Sequence, residues 1–289
     1  MVLFFSFLFG SIVGSFLNVV IYRLPIMIRN SWQSEAFHIT SDFLTNSADE
    51  KNLSEKMLPG NSSFNLVLPR SKCLGCDSDI RPWHNIPILG YLILRGRCNN
   101  CNMKIDLRYP MVEFLAAIIT LYVVYAFGLT LSGASSALLA YALICLAYID
   151  YDTELLPDSI TLPFIWLGLI TNYFGAITSF EDAFWGACFG YGILWSVYQV
   201  FKLLTKKEGM GYGDFKMLAM LGAWLGITSI PGIIMISSIS CLIIFGILSL
   251  KGRDLSEPVR FGPFLAIAGL IFIFWGDAIN NLYLKSVIL

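Results

Sequence analysis

The chain has 289 residues, 56% of them hydrophobic and only 13% charged, with a mean hydropathy of +0.70. Soluble domains carry roughly 25% charged residues, so half that share, spread over long apolar runs, excludes an ordinary soluble enzyme. The net charge of −1 gives no footing for nucleic acid, and none is expected as a partner; the informative quantity is where the charges lie.

Eight stretches approach the roughly 20 apolar residues that a membrane helix needs: 2–22, 111–129, 133–149, 159–177, 183–202, 215–229, 232–250 and 261–283. The sixth is short and leans on the seventh across Pro231. The expected fold is an all-α polytopic membrane protein of about eight transmembrane helices. The first run does not read as a cleavable signal, because its first cation, Arg23, follows the apolar core instead of preceding it.

Eleven of the nineteen Lys and Arg residues lie between Arg23 and Arg108. Lys202, Lys206, Lys207 and Lys216 flank the 203–214 connection, and Lys251, Arg253 and Arg260 flank the next. An N-terminus outside puts all of these in the cytoplasm, as the positive-inside rule demands; Lys285 alone falls on the far side. The chain divides into a first transmembrane helix (1–22), a cytoplasmic domain (23–110) and a transmembrane region (111–289).

The cytoplasmic segment begins with a polar, turn-rich stretch, "NSWQSEAFHITSDFLTNSADEKNLSEKMLPGNSS", expected to be partly mobile. Beyond it, Cys73, Cys76, Cys98 and Cys101 form C-x2-C-x21-C-x2-C. Two such knuckles place four thiolates around one Zn²⁺, and the spacer slightly exceeds the usual range of about 15–20 residues. In a cytoplasmic segment a disulfide or redox role is the weaker alternative. Four thiolates leave no open coordination position, so the metal is structural: a zinc-ribbon-like insertion. His84 reads as a loop residue, and Cys145, Cys188 and Cys241, within apolar runs, as small buried hydrophobes.

Two carboxylates stand at the edge of hydrocarbon. Asp150 closes the run "ALLAYALICLAYI", and Asp214 opens the helix after "GYG". An even number of crossings separates them, so both lie on the cytoplasmic face at similar depth. Adjacent carboxylates do not both ionise; one keeps its proton, and the pair can activate a water and protonate a leaving amine. Gly211 and Gly213 allow a substrate backbone to approach. The plain structural alternative is that Asp214 only caps a helix and Asp150 only pairs with a lysine. Asp158 follows Pro157 and reads as a helix cap, Asp152 as a support or a solvent-facing residue, and Glu113 and Asp277 as structural. "GMGYG" lacks the preceding strand of a nucleotide-binding loop.

Taken in order, "GSFLNVVIYRLP", the cysteine knuckles, "NIPILGYLILRGRC", "RYPMVE", "YIDYDTELLPD", "KEGMGYGDFK" and "RFGPFLAIAGL" span nearly the whole chain and resemble the bacterial type IV prepilin peptidases. The resemblance implies a GxGD-type aspartic endopeptidase with Asp150 and Asp214 as its catalytic pair. It also implies that the cationic leader of prepilins and pseudopilins is cut after a glycine at the cytoplasmic face of the inner membrane. The new N-terminal residue would then be methylated from S-adenosylmethionine, with Gly96 the glycine tied to that step. Leu74 departs from the proline often found in the first knuckle. Two other readings stay open: an ion- or proton-coupled transporter using Asp150 and Asp214, and a zinc-stapled assembly scaffold.

Overall fold

The computed structural model describes residues 1–43, 64–207, 209–250 and 260–288. Among them nine α-helices follow in order: α1 (Val2–Phe43), α2 (Leu89–Ile93), α3 (Arg108–Phe127), α4 (Leu131–Thr153), α5 (Asp158–Tyr173), α6 (Phe180–Thr205), α7 (Tyr212–Leu225), α8 (Ile230–Leu250) and α9 (Gly262–Ile288). Each of the eight expected stretches contains a helix. Six are long and apolar enough to cross a membrane, and the protein is a multi-pass membrane protein. The other two are α5 and α7, with 16 and 14 residues. At 1.5 Å per residue they reach only about 24 and 21 Å, short of a hydrocarbon core of about 30 Å.

α1 runs well past the first expected stretch, 2–22. It continues without a break to Phe43, with Pro25 inside it. The segment after Pro25 lacks glycine and proline up to that point, and its polar groups bond locally, Thr40 to the Ala36 carbonyl and Ser31 to Glu35. The rest of the polar stretch, 44–63, lies outside the described residues.

The chain forms two compact units, Leu8–Ala117 and the remainder, Met1–Phe7 with Ile118–Leu289. In the larger unit α7 is the axis: Asp214, Phe215 and every residue from Met217 to Trp224 are buried. Hydrophobic burial in lipid gives no net drive, so close packing must hold such a helix. Gly186 of α6 and Gly222 of α7 supply it. A Cβ on either would stand 2.1–2.4 Å from the other's backbone carbonyl. Gly186 and Gly190 form a G-x3-G pair in "GACFG", the small-residue spacing that brings two helix backbones together. At the far end of α7, buried Asn172 of α5 donates to the carbonyls of Ala223 and Trp224 at 2.9 Å. Its Oδ1 accepts the Ile177 and Thr178 N–H groups at 3.1 Å. Carbonyls left open at that helix end are thereby paired, and α7 is fixed with its opposite end, carrying Asp214, in a defined place.

In the smaller unit, polar groups fasten irregular chain to helices. Buried Arg23 donates to the carbonyls of Asn65 (2.8 Å) and Pro69 (2.6 Å) and lies over the Phe64 ring. Asn18 holds the Tyr109 carbonyl at 3.0 Å. Glu113 accepts the Ile88 N–H at 2.7 Å, where Ile88 has φ 62°, a conformation unfavourable to a β-branched residue.

Candidate functional site

Asp150 sits one turn before the end of α4. The helix closes on Glu154, whose left-handed backbone (φ 57°) returns its N–H to the Asp150 carbonyl at 2.9 Å. The Asp150 side belongs to a packed interior: the residue is 6% exposed, and neighbouring Leu146 and Ile149 are buried with it. Its Oδ2 is buried and closes no hydrogen bond among the described residues. Buried polar atoms nearly always have partners, so this oxygen marks a place where structure yields to another requirement.

Asp214 is the third residue of α7 and 8% exposed. Its N–H donates to the Gly211 carbonyl at 3.2 Å. A carboxyl in the first turn suits the positive end of a helix, and Asp150 lies near enough for its charge to act on Asp214. The two carboxyls come together from helices 64 positions apart in sequence. They stand at helix ends, one at the finish of α4 and one at the start of α7.

The two glycines before Asp214 differ. A Cβ on Gly211 would meet little but Asp214 Oδ2, at 3.8 Å, so the approach past Gly211 is open. One on Gly213 would run into Leu156 at 2.7 Å; that glycine packs against the turn following α4.

Cationic groups nearby are engaged by other acids. Lys216, two residues past Asp214, binds both oxygens of Asp158 at 2.7 and 2.8 Å. This corrects the capping role expected for Asp158: Pro157 occupies the N-cap, and Asp158, at the first helical position, faces Lys216 instead. Lys216 is thereby engaged away from Asp150. Arg260 binds Glu154 at 3.0 Å. Asp152 and Asp277 are exposed. Sequence reasoning misses Glu154, Lys216, Arg260 and Gly262 as contributors; the stretch "RFGPF" is the one signal for the last two.

The four cysteines of the smaller unit do converge. Their Sγ atoms all lie within 4.8 Å of one another, with Cys73 and Cys101 at 3.8 Å. A tetrahedral thiolate site with bonds of about 2.3 Å has sulfur–sulfur edges of about 3.8 Å, so the cluster fits such a metal. All seven cysteines are free thiols, against the disulfide alternative. Each knuckle is a short antiparallel turn, bridged at Lys72–Asp79 and Arg97–Lys104. The residue after each second cysteine, Asp77 or Asn102, has positive φ, which short Asx side chains tolerate best.

The thiols also show why a cation belongs among them. Hydrogen bonds from the Ser78 hydroxyl and N–H, then from Asn100, hold Cys76 down at about 6. Cys101, despite the Met103 N–H, is pushed up to about 11 by desolvation and by the neighbouring cysteines. Four sulfurs this close repel as thiolates unless a positive charge sits between them.

Gly96 does not open onto a cradle. Its φ is 68°, and a Cβ there would meet the Tyr91 Oη at 2.6 Å and Cζ at 2.8 Å. His84 lies in the 3₁₀ turn Pro82–Asn85, its N–H on the Arg81 carbonyl, as a loop residue should. Cys145 is buried, but Cys188 is exposed and Cys241 half-buried. An apolar run in lipid does not distinguish a core face from a lipid face, which is why the expectation of burial fails for those two.

Two family models match the chain. The Bacterial Peptidase A24 N-terminal domain covers residues 8–127, with all four cysteines, and the Type IV leader peptidase family covers 137–246, with Asp150 and Asp214. Curated proteins called "Prepilin leader peptidase/N-methyltransferase" are similar over nearly the full length. The one from Stutzerimonas stutzeri is 47% identical over 96% of this chain and 91% of its own. That from Pseudomonas aeruginosa is 46% identical over 97% and 92%, and that from Neisseria gonorrhoeae 43% over 93% and 89%. No solved structure matches the chain.

Proposed function

This chain belongs to the prepilin leader peptidase/N-methyltransferase family, and from that premise we propose that it hydrolyses the leader of prepilins and pseudopilins and methylates the new N-terminus. The observation that carries the peptidase half is the pairing of two buried carboxyls, Asp150 and Asp214, at the ends of packed helices. One carboxylate takes a proton from water while the water oxygen attacks the scissile carbonyl carbon. The other, protonated, delivers its proton to the leaving amine nitrogen as the C–N bond breaks. Oδ2 of Asp150 closes no hydrogen bond among the described residues, which leaves it a bond to make with the reacting groups. Gly211 leaves the side of Asp214 open for an extended substrate backbone.

The reading includes the inner membrane as location, the N-terminus outside, and the catalytic face in the cytoplasm, where the cationic loops lie. It includes the division at 1–22, 23–110 and 111–289. Cys73, Cys76, Cys98 and Cys101 would hold Zn²⁺, which supplies a structural cross-link to a segment with little core of its own. S-adenosylmethionine is taken as methyl donor from the family's chemistry; the residues around Gly96 support its pocket there no further. Carboxylates at helix ends also weigh against a transporter, whose sites lie near the bilayer midplane.

The test is purified protein in detergent with a prepilin, read by mass spectrometry of the pilin N-terminus. Cleavage with one added methyl is the expected product. An unchanged prepilin with correctly inserted protein would end the proposal.

A further inference from the structure

The stretch Arg260–Gly262 is joined to the end of α4 by several contacts. Arg260 donates from Nε and Nη2 to Glu154 Oε1 at 3.1 and 3.0 Å and from Nη1 to the Tyr151 carbonyl. Its guanidinium also lies over the Tyr151 ring, 5.6 Å from the centroid. The Tyr151 carbonyl is among the last four of α4, which have no partner in their own helix; Arg260 caps it from a different element. Two residues on, Gly262 opens α9 right beside the Asp150 carboxyl, so the positive end of a 27-residue helix lies at that carboxyl. Asp214 stands in the first turn of α7. Each carboxyl of the pair is thus set against the start of a helix.

Space is the second observation. A Cβ on Gly262 would stand 2.6 Å from Asp150 Oδ2, 2.9 Å from Cγ and 3.2 Å from Cβ. Contacts along the whole side chain mean that turning the carboxyl about its last bond cannot relieve the clash; Asp150 must swing as a unit. Gly262 is not among the glycines with positive φ, so alanine fits its backbone and collides only through the methyl. The Arg260–Glu154 pair is partly exposed, 39% and 55%, and such pairs add little stability. A contact that stabilises little and touches the residues flanking Asp150 is suited to placement.

We infer that Arg260 and Gly262 are positioning residues for hydrolysis, a clasp that sets the Asp150 carboxyl against Asp214. The inference rests on the reading of Asp150 and Asp214 as the catalytic pair. Both clasp residues lie beyond the segments matched by the family models. The clasp acts through Asp150.

The test uses the full-length protein in detergent with a prepilin peptide spanning the leader junction. Gly262→Ala lowers kcat for cleavage about 100-fold, the scale of a misplacement of about 1 Å, with KM within about 2-fold. Arg260→Lys keeps the charge but loses the planar fork and lowers kcat about 10-fold, again with KM held. Both variants keep the wild-type thermal unfolding temperature. Asp150→Asn and Asp214→Asn run alongside: if either still cleaves, the catalytic pair is wrong, and the failure belongs to that reading. If both are inactive while Gly262→Ala and Arg260→Lys keep the wild-type kcat, the clasp is overturned. A kcat loss that arrives in both variants only with a lowered unfolding temperature, or as a raised KM, overturns it too, in favour of a purely structural role.

Discussion

Four thiols converge in the smaller unit because two five-to-six-residue turns aim them, whereas two carboxyls converge in the larger unit because helices distant in sequence pack around α7. The first arrangement is local in each half and weak in between. Its knuckles are held by bonds such as Cys73 N–H to the Ser78 carbonyl and Cys98 N–H to the Met103 carbonyl, with exposed Leu74, three half-buried cysteines and exposed Cys101 around them. The second is non-local and tight, with Gly186 against Gly222 and Trp224 fully buried. A loop segment without a core depends on an ion to close it. A bundle in lipid depends on backbone-close packing. Damage should therefore spread differently from the two sites.

The largest expected effect is at the carboxyls. Asp150→Asn or Asp214→Asn should each lower cleavage by about 10³-fold or more, and the double variant should fall no further, since the two act as a unit. The metal content of these variants should stay at the wild-type value. Additive losses in initial-rate measurements would mean that the carboxyls act independently, and metal loss would join the two regions that the comparison separates.

Next comes packing. Gly222→Leu forces a side chain into the Gly186 backbone, 2.1 Å from its ideal Cβ, where no flexible atom can yield. Overpacking costs about 3 kcal/mol at such a site, read as a lowered unfolding temperature in detergent together with lost cleavage. The same substitution at Gly192, whose Cβ would meet nothing within 4 Å, should be silent in both readouts. If the two behave alike, close approach does not hold α7.

Removal of the thiols should be narrower. Cys73→Ser with Cys76→Ser should release about one metal ion per chain, seen by elemental analysis. It should expose 64–107 to limited proteolysis and leave cleavage within a few-fold of wild type. A metal-free protein whose segment resists protease as before would show that the turns need no ion.

The same contrast governs which features are legible in the amino-acid sequence. C-x2-C-x21-C-x2-C carries its geometry in its own spacing, so Cys73, Cys76, Cys98 and Cys101 are legible outright. Asp214 is legible because charge at the start of "FKMLAMLGAWLGI" needs a reason; Asp150 follows from counting crossings. Arg260 and Glu154, by contrast, lie 106 residues apart, and no periodicity couples them. Asp158 looks like a cap because its partner, Lys216, is 58 residues away. The shortness of α7 is visible in the sequence, but its burial is not, since hydropathy scores lipid and core alike. "GACFG" holds the packing signal, and its meaning requires knowing which helix it faces.

The smallest effect expected is at Gly96, and it divides two explanations of one phenotype. A glycine at φ 68° favours no L side chain, and Gly96→Ala costs about 1 kcal/mol for that alone. The methyl would in addition displace Tyr91, whose Oη and Cζ stand within 2.8 Å of it. If Gly96 serves methyl transfer by seating Tyr91 of α2 against the second knuckle, Tyr91→Leu alone should reduce methylation several-fold. Adding Gly96→Ala to it should then change little, because the crowded atoms are already gone. If Gly96 instead leaves room for a bound methyl donor, Tyr91→Leu should methylate normally and the double variant should fall as far as Gly96→Ala. Cleavage should stay near wild type throughout, since Asp150 and Asp214 belong to the other unit. Mass spectrometry of the pilin N-terminus across this double-mutant cycle reads both activities in one sample. Independent, additive losses from the two single changes would refute the seating role.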